Sequence, residues 1–197
     1  DAEGVSGVGW QMREFDKYVA CAGYERSLAN SATLLRFPEA RGEWVRPGVM
    51  LYGSSPLMDA SALDLGLRPV MTLSSELIAI QELKAGDTVG YGNLFRADRA
   101  MRIGVVACGY ADGYPRSAPN GTPILVDGQR TRTLGRVSMD MLCVDLSALP
   151  QAGIGSNVVL WGEGMPIEEV AHSATTVIYE LMFALTPPGP VSGRAHA

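Results

Sequence analysis

The sequence is poor in the residues on which metal, redox and hydrolytic chemistry usually depend. Its three cysteines, Cys21, Cys108 and Cys143, lie far apart with no C-x-x-C pair. That pattern writes neither a disulfide framework nor a thiolate metal site. Cys108 and Cys143 sit inside apolar runs and read as small core residues. There are two histidines, His172 and His196, and no His/Cys cluster at zinc spacing, so no metal is expected. The nucleophile-elbow, phosphate-loop and dinucleotide fingerprints are missing, which argues against Ser-His-Asp hydrolysis. No apolar run approaches the ~20 residues of a membrane span, and no basic-then-apolar leader opens the chain. These absences point to a reducing, cytoplasmic setting without a membrane partner. Lysine is nearly absent too: Lys17 and Lys84 stand against a total of 16 basic residues. The arginine bias suits carboxylate or phosphate recognition, but genome composition is the plainer explanation. A net charge of −5 argues against a nucleic-acid partner, which would want a basic field.

What is present suffices for a real core, since 47% of the 197 residues are hydrophobic. The chain opens Asp1-Ala2-Glu3-Gly4 without a Met, which reads as a cut inside a longer protein. Residues 1–9 read as loop. Apolar side chains at Trp10, Met12, Phe15, Val19 and Ala22 recur at helical spacing and predict an amphipathic helix over 10–22. Asn30-Ser31 is a good cap for a short helix ending near Pro38. Trp44 to Tyr52 begins extended and is interrupted by Pro47-Gly48. This alternation resembles the end of an α/β barrel. After about residue 67 the texture becomes β-rich. Strands are predicted over 70–80, 101–107, 123–126, 134–139, 141–146 and 157–161, with a hairpin turn at Asp127-Gly128. Helices are predicted near 166–174 and 176–185. Many short strands at close spacing suggest an antiparallel barrel or sandwich.

Several segments could carry chemistry, and each has a plainer alternative. Asn30-Ser31 ahead of a helix offers a hydroxyl and backbone N–H groups to an anion, or is a simple cap. Gly48 at a strand end lets a backbone N–H approach a ligand, or marks a bulge. Arg46 lies in an apolar run and needs a partner there; a structural ion pair is the default. Gly90-Tyr91-Gly92 places a phenol between two glycines, leaving room for another backbone or a ligand. Gly109 to Arg116 is a second aromatic, glycine-rich loop. Gly135 to Asp140 sits at a strand end.

Together these strings resemble a family. Asn30-Ser31-Ala32, Val45-Arg46-Pro47-Gly48, Leu51-Tyr52-Gly53, Gly90-Tyr91-Gly92, Gly109-Tyr110-Ala111-Asp112-Gly113, Gly135-Arg136-Val137-Ser138-Met139-Asp140 and Tyr179-Glu180 occur in the order seen in alanine racemases. The spacings agree as well: 15 residues from Ser31 to Arg46, 19 from Tyr91 to Tyr110 and 29 from Tyr110 to Met139. The resemblance covers residues 10–185. It implies a remnant of a TIM-type α/β barrel over 1–66 and a mainly antiparallel β domain over 67–197. It implies pyridoxal 5′-phosphate as cofactor, L- and D-alanine as substrates and a head-to-tail homodimer. Ser31, with the backbone of Gly48 and Val49, would hold the cofactor phosphate, and Tyr179 would add its hydroxyl. Arg46 would meet the pyridine nitrogen. An arginine there keeps its proton, which weakens the cofactor's electron sink and limits side reactions. Tyr91 would be one of two catalytic acid/bases, acting in the partner's site, and Met139 would offer its N–H to the substrate carboxylate. Tyr110 and Tyr179 would line the inner part of an access channel, with Arg116, Arg136 and Asp140 in its outer, charged part.

The chemistry is coherent, because racemisation needs one proton-transfer group on each face of a planar carbanion. The family's cofactor lysine belongs to an N-terminal segment that these residues do not include, and neither Lys17 nor Lys84 has its surrounding motif. These 197 residues alone are therefore expected neither to bind the cofactor covalently nor to racemise alanine. One departure from the family pattern is the tail over 186–194, which lacks the usual basic Arg-Val-Pro-Arg-like segment. Two alternatives stand beside this reading: a broad-specificity amino-acid racemase on the same scaffold, and a non-catalytic β-barrel interaction module with a helical lead-in.

Overall fold

The computed structural model describes residues 7–19 and 23–185. The expectations for the far end of the first helix and for the tail lie outside these residues. The chain divides into two compact units, Asp1–Val70 and Met71–Ala197.

In the first unit the apolar periodicity produces α1, Val8–Val19, which starts two residues earlier than the sequence suggested. Lys17 on its last turn pairs with Glu14 at 2.6 Å. Strand β1, Ser27–Asn30, then runs directly into α2, Ser31–Arg36. The handover is made by Asn30, whose Oδ1 accepts from the Thr33 N–H at 3.0 Å, satisfying one of the donors that a helix start leaves over. The helix stops before Phe37-Pro38, where the ring disfavours helical geometry in the preceding residue. Strand β2, Trp44–Arg46, pairs parallel to β1 with Asn30 opposite Arg46. Parallel neighbours need a crossover, and α2 lies within it. Pro47-Gly48 ends β2, and one 3-10 turn follows over Val49–Tyr52.

The second unit is built on a six-stranded closed barrel. Its strands are β3 (Leu73–Leu83), β6 (Met101–Val106), β7 (Pro123–Val126), β8 (Gln129–Leu134), β9 (Leu142–Asp145) and β10 (Asn157–Trp161). They close in the order β10-β3-β6-β9-β8-β7, and each neighbouring pair is antiparallel. Closure leaves no open sheet edge. The two-residue strands β4 (Thr88–Val89) and β5 (Phe95–Arg96) form a separate hairpin. Asp127 and Gly128 take φ of 49° and 74°, the left-handed pair that a tight hairpin between β7 and β8 requires. The strand expected over 134–139 does not exist: β8 ends at Leu134, and Gly135, at φ 71°, turns the chain away.

Side chains from around the barrel meet in one core that includes Leu77, Val106, Ile124, Val144, Leu160 and Trp161. Helices α3 (Ile167–Ser173) and α4 (Ile178–Phe183) add Val170 and Leu181 to it. A smaller cluster of Val89, Ala97, Met101, Ile103 and Leu134 seats the β4–β5 hairpin on the barrel. That seating fixes where Tyr91 is displayed.

Candidate functional site

In the first unit, the parallel pairing brings three of the expected residues together. Ser31 is buried at the start of α2, and its Oγ accepts from the Gly48 N–H at 2.7 Å. Gly48 takes φ −116° and ψ −98° and opens the turn that buries Val49. Arg46, level with Asn30 across the pair, donates to the carbonyl of Ser27 and, at 3.0 Å, to its hydroxyl. Its partners are thus neutral, not the carboxylate of the ion pair anticipated by default. A hydroxyl and a backbone N–H therefore meet where β1 passes into α2, while the guanidinium lies back along β1 against Ser27, its first residue.

In the second unit, a different set gathers around the loops that join the strands. A Cβ at Gly90 would lie 2.9 Å from the Arg136 nitrogen, and one at Gly135 2.6 Å from the Val89 carbonyl oxygen. Both glycines hold positive φ, so each position is closed to a side chain by contact and by backbone conformation. The Tyr91 loop is thereby seated, backbone on backbone, on the turn that carries Arg136. Asn120 Oδ1 pins that turn by accepting from the Gly135 N–H at 3.0 Å. Three residues on, the same segment pairs with the Tyr110 loop. The Tyr110 N–H donates to the Ser138 carbonyl at 3.0 Å and the Ala111 N–H to that of Met139 at 2.9 Å. Gly109 lies flat on those two carbonyls. Asp112 folds the loop back by accepting from the Gly109 N–H at 2.8 Å.

Tyr91, Tyr110 and Met139 are thus carried by three loops, of which the one bearing Met139 touches both of the others. Tyr91 is 68% exposed and Met139 53%, so the phenol is presented at the surface instead of filling the core. The Arg116 guanidinium lies over the Tyr110 ring, 5.8 Å from its centroid. Arg136 and Asp140 are exposed on either side of Met139. Tyr179 stands on α4, its ring stacked on Phe183 with centroids 6.4 Å apart. The Tyr110 loop packs at Gly113 against the carbonyl of Ala184, just past that helix. Tyr114, from the same loop, goes the other way. It is fully buried, and burial, then the neighbouring Cys108, pushes its phenol above the ordinary range.

Sequence reasoning missed three residues that shape this face: Thr88, Asn93 and Asn120. Asn93 had a legible signal, since asparagine following Gly-Tyr-Gly is a residue that tolerates left-handed backbone, and it holds φ 52°. Asn120 had none, because it acts across 15 residues. Among the described residues no group of three or more His, Cys, Asp or Glu side chains could hold a metal ion. No helix among them is long and apolar enough to cross a membrane.

Comparison with known proteins places the chain in a family. The family model for the C-terminal domain of alanine racemase matches residues 70–191, and the model for the N-terminal domain matches residues 1–56. An alanine racemase from Thiobacillus denitrificans is 61% identical over 96% of this chain and 52% of its own length. The crystal structure of biosynthetic alanine racemase from Pseudomonas aeruginosa superposes with a TM-score of 0.85 at 49% identity, over 92% of this chain and 51% of that one. The structure from Bartonella henselae, an alanine racemase with covalently bound pyridoxal phosphate, gives 0.83 at 28% identity over 95% of this chain and 52% of that one. This chain therefore spans about half the length of the relatives it matches, and it belongs to the alanine racemase family.

Proposed function

We propose that these residues form the C-terminal half of a pyridoxal-phosphate-dependent racemase that interconverts L- and D-alanine. The observation that carries the reading is the seating of Gly90 on Gly135. It presents an exposed phenol, Tyr91, next to the backbone of Arg136, on a loop whose start is fixed by close contact.

On this reading residues 1–66 are the last part of an α/β barrel and 67–197 the β domain. The donors gathered in the first unit suit a phosphorylated heteroaromatic ring. Ser31 accepts one hydrogen bond through a lone pair and keeps its own proton to give. The Gly48 N–H, given to Ser31 Oγ in this structure, would turn to the phosphate beside that of Val49, and Arg46, held by Ser27, would present a fixed positive charge to the ring nitrogen. The bound cofactor supplies the acidity of the substrate Cα–H by delocalising charge. This chain's side chains do the rest. The Tyr91 oxygen takes or returns one proton on one face, the other face being served by a lysine from outside these residues. The Met139 N–H orients the substrate carboxylate. Tyr110, Tyr179, Arg116, Arg136 and Asp140 line the approach, with aromatic rings innermost and charge outside. We infer a head-to-tail homodimer in which Tyr91 and Met139 serve the site of the partner. A bare interaction module gives no reason for these loops to display a phenol between two glycines.

The test is Tyr91→Phe in the complete enzyme. A positioned acid/base contributes on the order of 100- to 10,000-fold, so kcat is expected to fall by at least about 100-fold while cofactor absorbance stays normal. Retention of near-normal kcat overturns the assignment. Assaying lysine, arginine and serine beside alanine separates a dedicated racemase from a broad-specificity one.

A further inference from the structure

We propose that Thr88 and Asn93 are positioning residues that clasp the Tyr91 loop and hold its phenol for proton transfer, an inference that rests on the acid/base reading of Tyr91. The loop between β4 and β5 is Gly90-Tyr91-Gly92-Asn93-Leu94, and Gly90, Gly92 and Asn93 all hold positive φ. Two glycines flanking one tyrosine make a backbone with many alternatives. A proton-transfer group, in contrast, must be held to about 0.5 Å.

The first half of the loop is fixed, because Gly90 rests on the Arg136 and Gly135 backbone. The second half has no such seat. The nearest atom to a Cβ at Gly92 is the Leu94 Cγ, 3.9 Å away and within the loop itself. What restrains that side is a clasp across the neck. The Thr88 hydroxyl donates to Asn93 Oδ1 at 3.0 Å, and the Asn93 N–H donates to the Gly90 carbonyl at 3.3 Å. Thr88 belongs to β4, which Val89 anchors in the smaller core cluster. The clasp thus ties the loose end of the loop to a fixed strand. Tyr91 lies inside the ring so closed, between a seated residue and a tied one.

The experiment uses the complete enzyme with Thr88→Val, which keeps the shape and β preference but loses the hydroxyl, and Thr88→Ser, which restores it. Asn93→Gly is the second variant: it keeps the left-handed backbone and removes the acceptor. One exposed hydrogen bond shifts an equilibrium by about 2- to 10-fold, so Thr88→Val and Asn93→Gly are expected to lower kcat/KM by about 3- to 10-fold. Thr88→Ser is expected to stay near wild type. The two alanine enantiomers have equal free energy, so kcat/KM must fall equally for both, whatever the cause. The α-deuterium isotope effect is free of that constraint. It is expected to rise for the enantiomer that Tyr91 deprotonates and not for the other. Amide exchange at Asn93 is expected to speed up in Thr88→Val with or without cofactor.

Wild-type isotope effects for both enantiomers in Thr88→Val and Asn93→Gly overturn the proposal. A loss that Thr88→Ser fails to restore overturns it too. The two levels separate cleanly. If Tyr91→Phe retains full activity, the acid/base reading itself fails; if Tyr91→Phe is inactive and the clasp variants are normal, only the clasp fails.

Discussion

Asp145 shows how a carboxylate is kept inside the β unit. Its side chain, at the end of β9, accepts from Arg132 Nη2 at 3.1 Å and Nε at 3.2 Å, and from the Ser147 N–H at 2.9 Å. Burial alone would push the carboxyl up, but the Ser147 N–H and hydroxyl, followed by Arg132, outweigh it and hold it below the ordinary carboxylate range. A carboxyl depressed in the folded state binds protons more weakly there than in the unfolded chain, whose value is about 3.9. Its stabilisation is therefore present above about pH 4 and lost as pH falls through the folded value. Asp145→Asn should be less stable than wild type at pH 6, with the gap narrowing toward pH 3, read as urea midpoints of the complete enzyme. A gap that stays constant with pH would assign the effect to packing instead. Residue-scale expectations from sequence fare well where one physical term dominates. Cys108, set in an apolar run, is buried, and burial, then the Asp112 charge, pushes its thiol up to about 12. It fills space, as its surroundings in the sequence suggested.

At the scale of elements, legibility tracked the strength of the apolar pattern. β6, β7 and β10 are dominated by apolar, largely β-branched residues and are readable as strands. β8 reads Gln-Arg-Thr-Arg-Thr-Leu; with two arginines it has no apolar signature, and only the Asp127-Gly128 turn pointed to it. β4 and β5 are two residues each, too short for any period to register. The predicted strand over 134–139 failed because Leu134 and Val137 are both buried and imitate strand apolarity, while Gly135 between them is a hinge in the chain. What the sequence could not display was the meeting of Gly90 with Gly135, since it depends on how the barrel closes. That meeting is testable by contrast. Gly135 and Gly121 both hold positive φ, 71° and 93°, but a Cβ at Gly121 meets nothing within 4 Å. Alanine at either position costs about 1–3 kcal/mol of backbone strain; at Gly135 it must also displace the Val89 carbonyl. In the complete enzyme Gly135→Ala should lower Tm clearly more than Gly121→Ala and should reduce kcat, while Gly121→Ala leaves kcat near wild type. Equal effects on both measures would remove the close approach as the device that seats Tyr91.

Across the whole chain, the candidate chemistry is divided between two kinds of architecture, and the division has a consequence. On the proposed reading the first unit supplies the groups for an anion and a ring nitrogen, Ser31, Gly48 and Arg46. The second supplies the exposed phenol of Tyr91. Neither contains a buried lysine. Lys17 lies on α1, an exposed helix, in an ion pair with Glu14. Lys84 sits in the exposed turn after β3, where its own N–H is taken by Asp87 Oδ2 at 2.7 Å. An amine that carries a cofactor covalently must be held in a built site, and both lysines are exposed. These 197 residues, prepared by themselves and titrated with pyridoxal phosphate, should show only weak, non-saturating labelling of surface amines and no racemisation. The same measurement on a chain that also carries the family's N-terminal barrel should show one saturable, borohydride-trappable lysine per protomer and full activity. A stoichiometric adduct at Lys17 or Lys84 would instead mean that one of these exposed amines is activated by a neighbour, and the partition of catalytic groups argued from the two units would have to be redrawn.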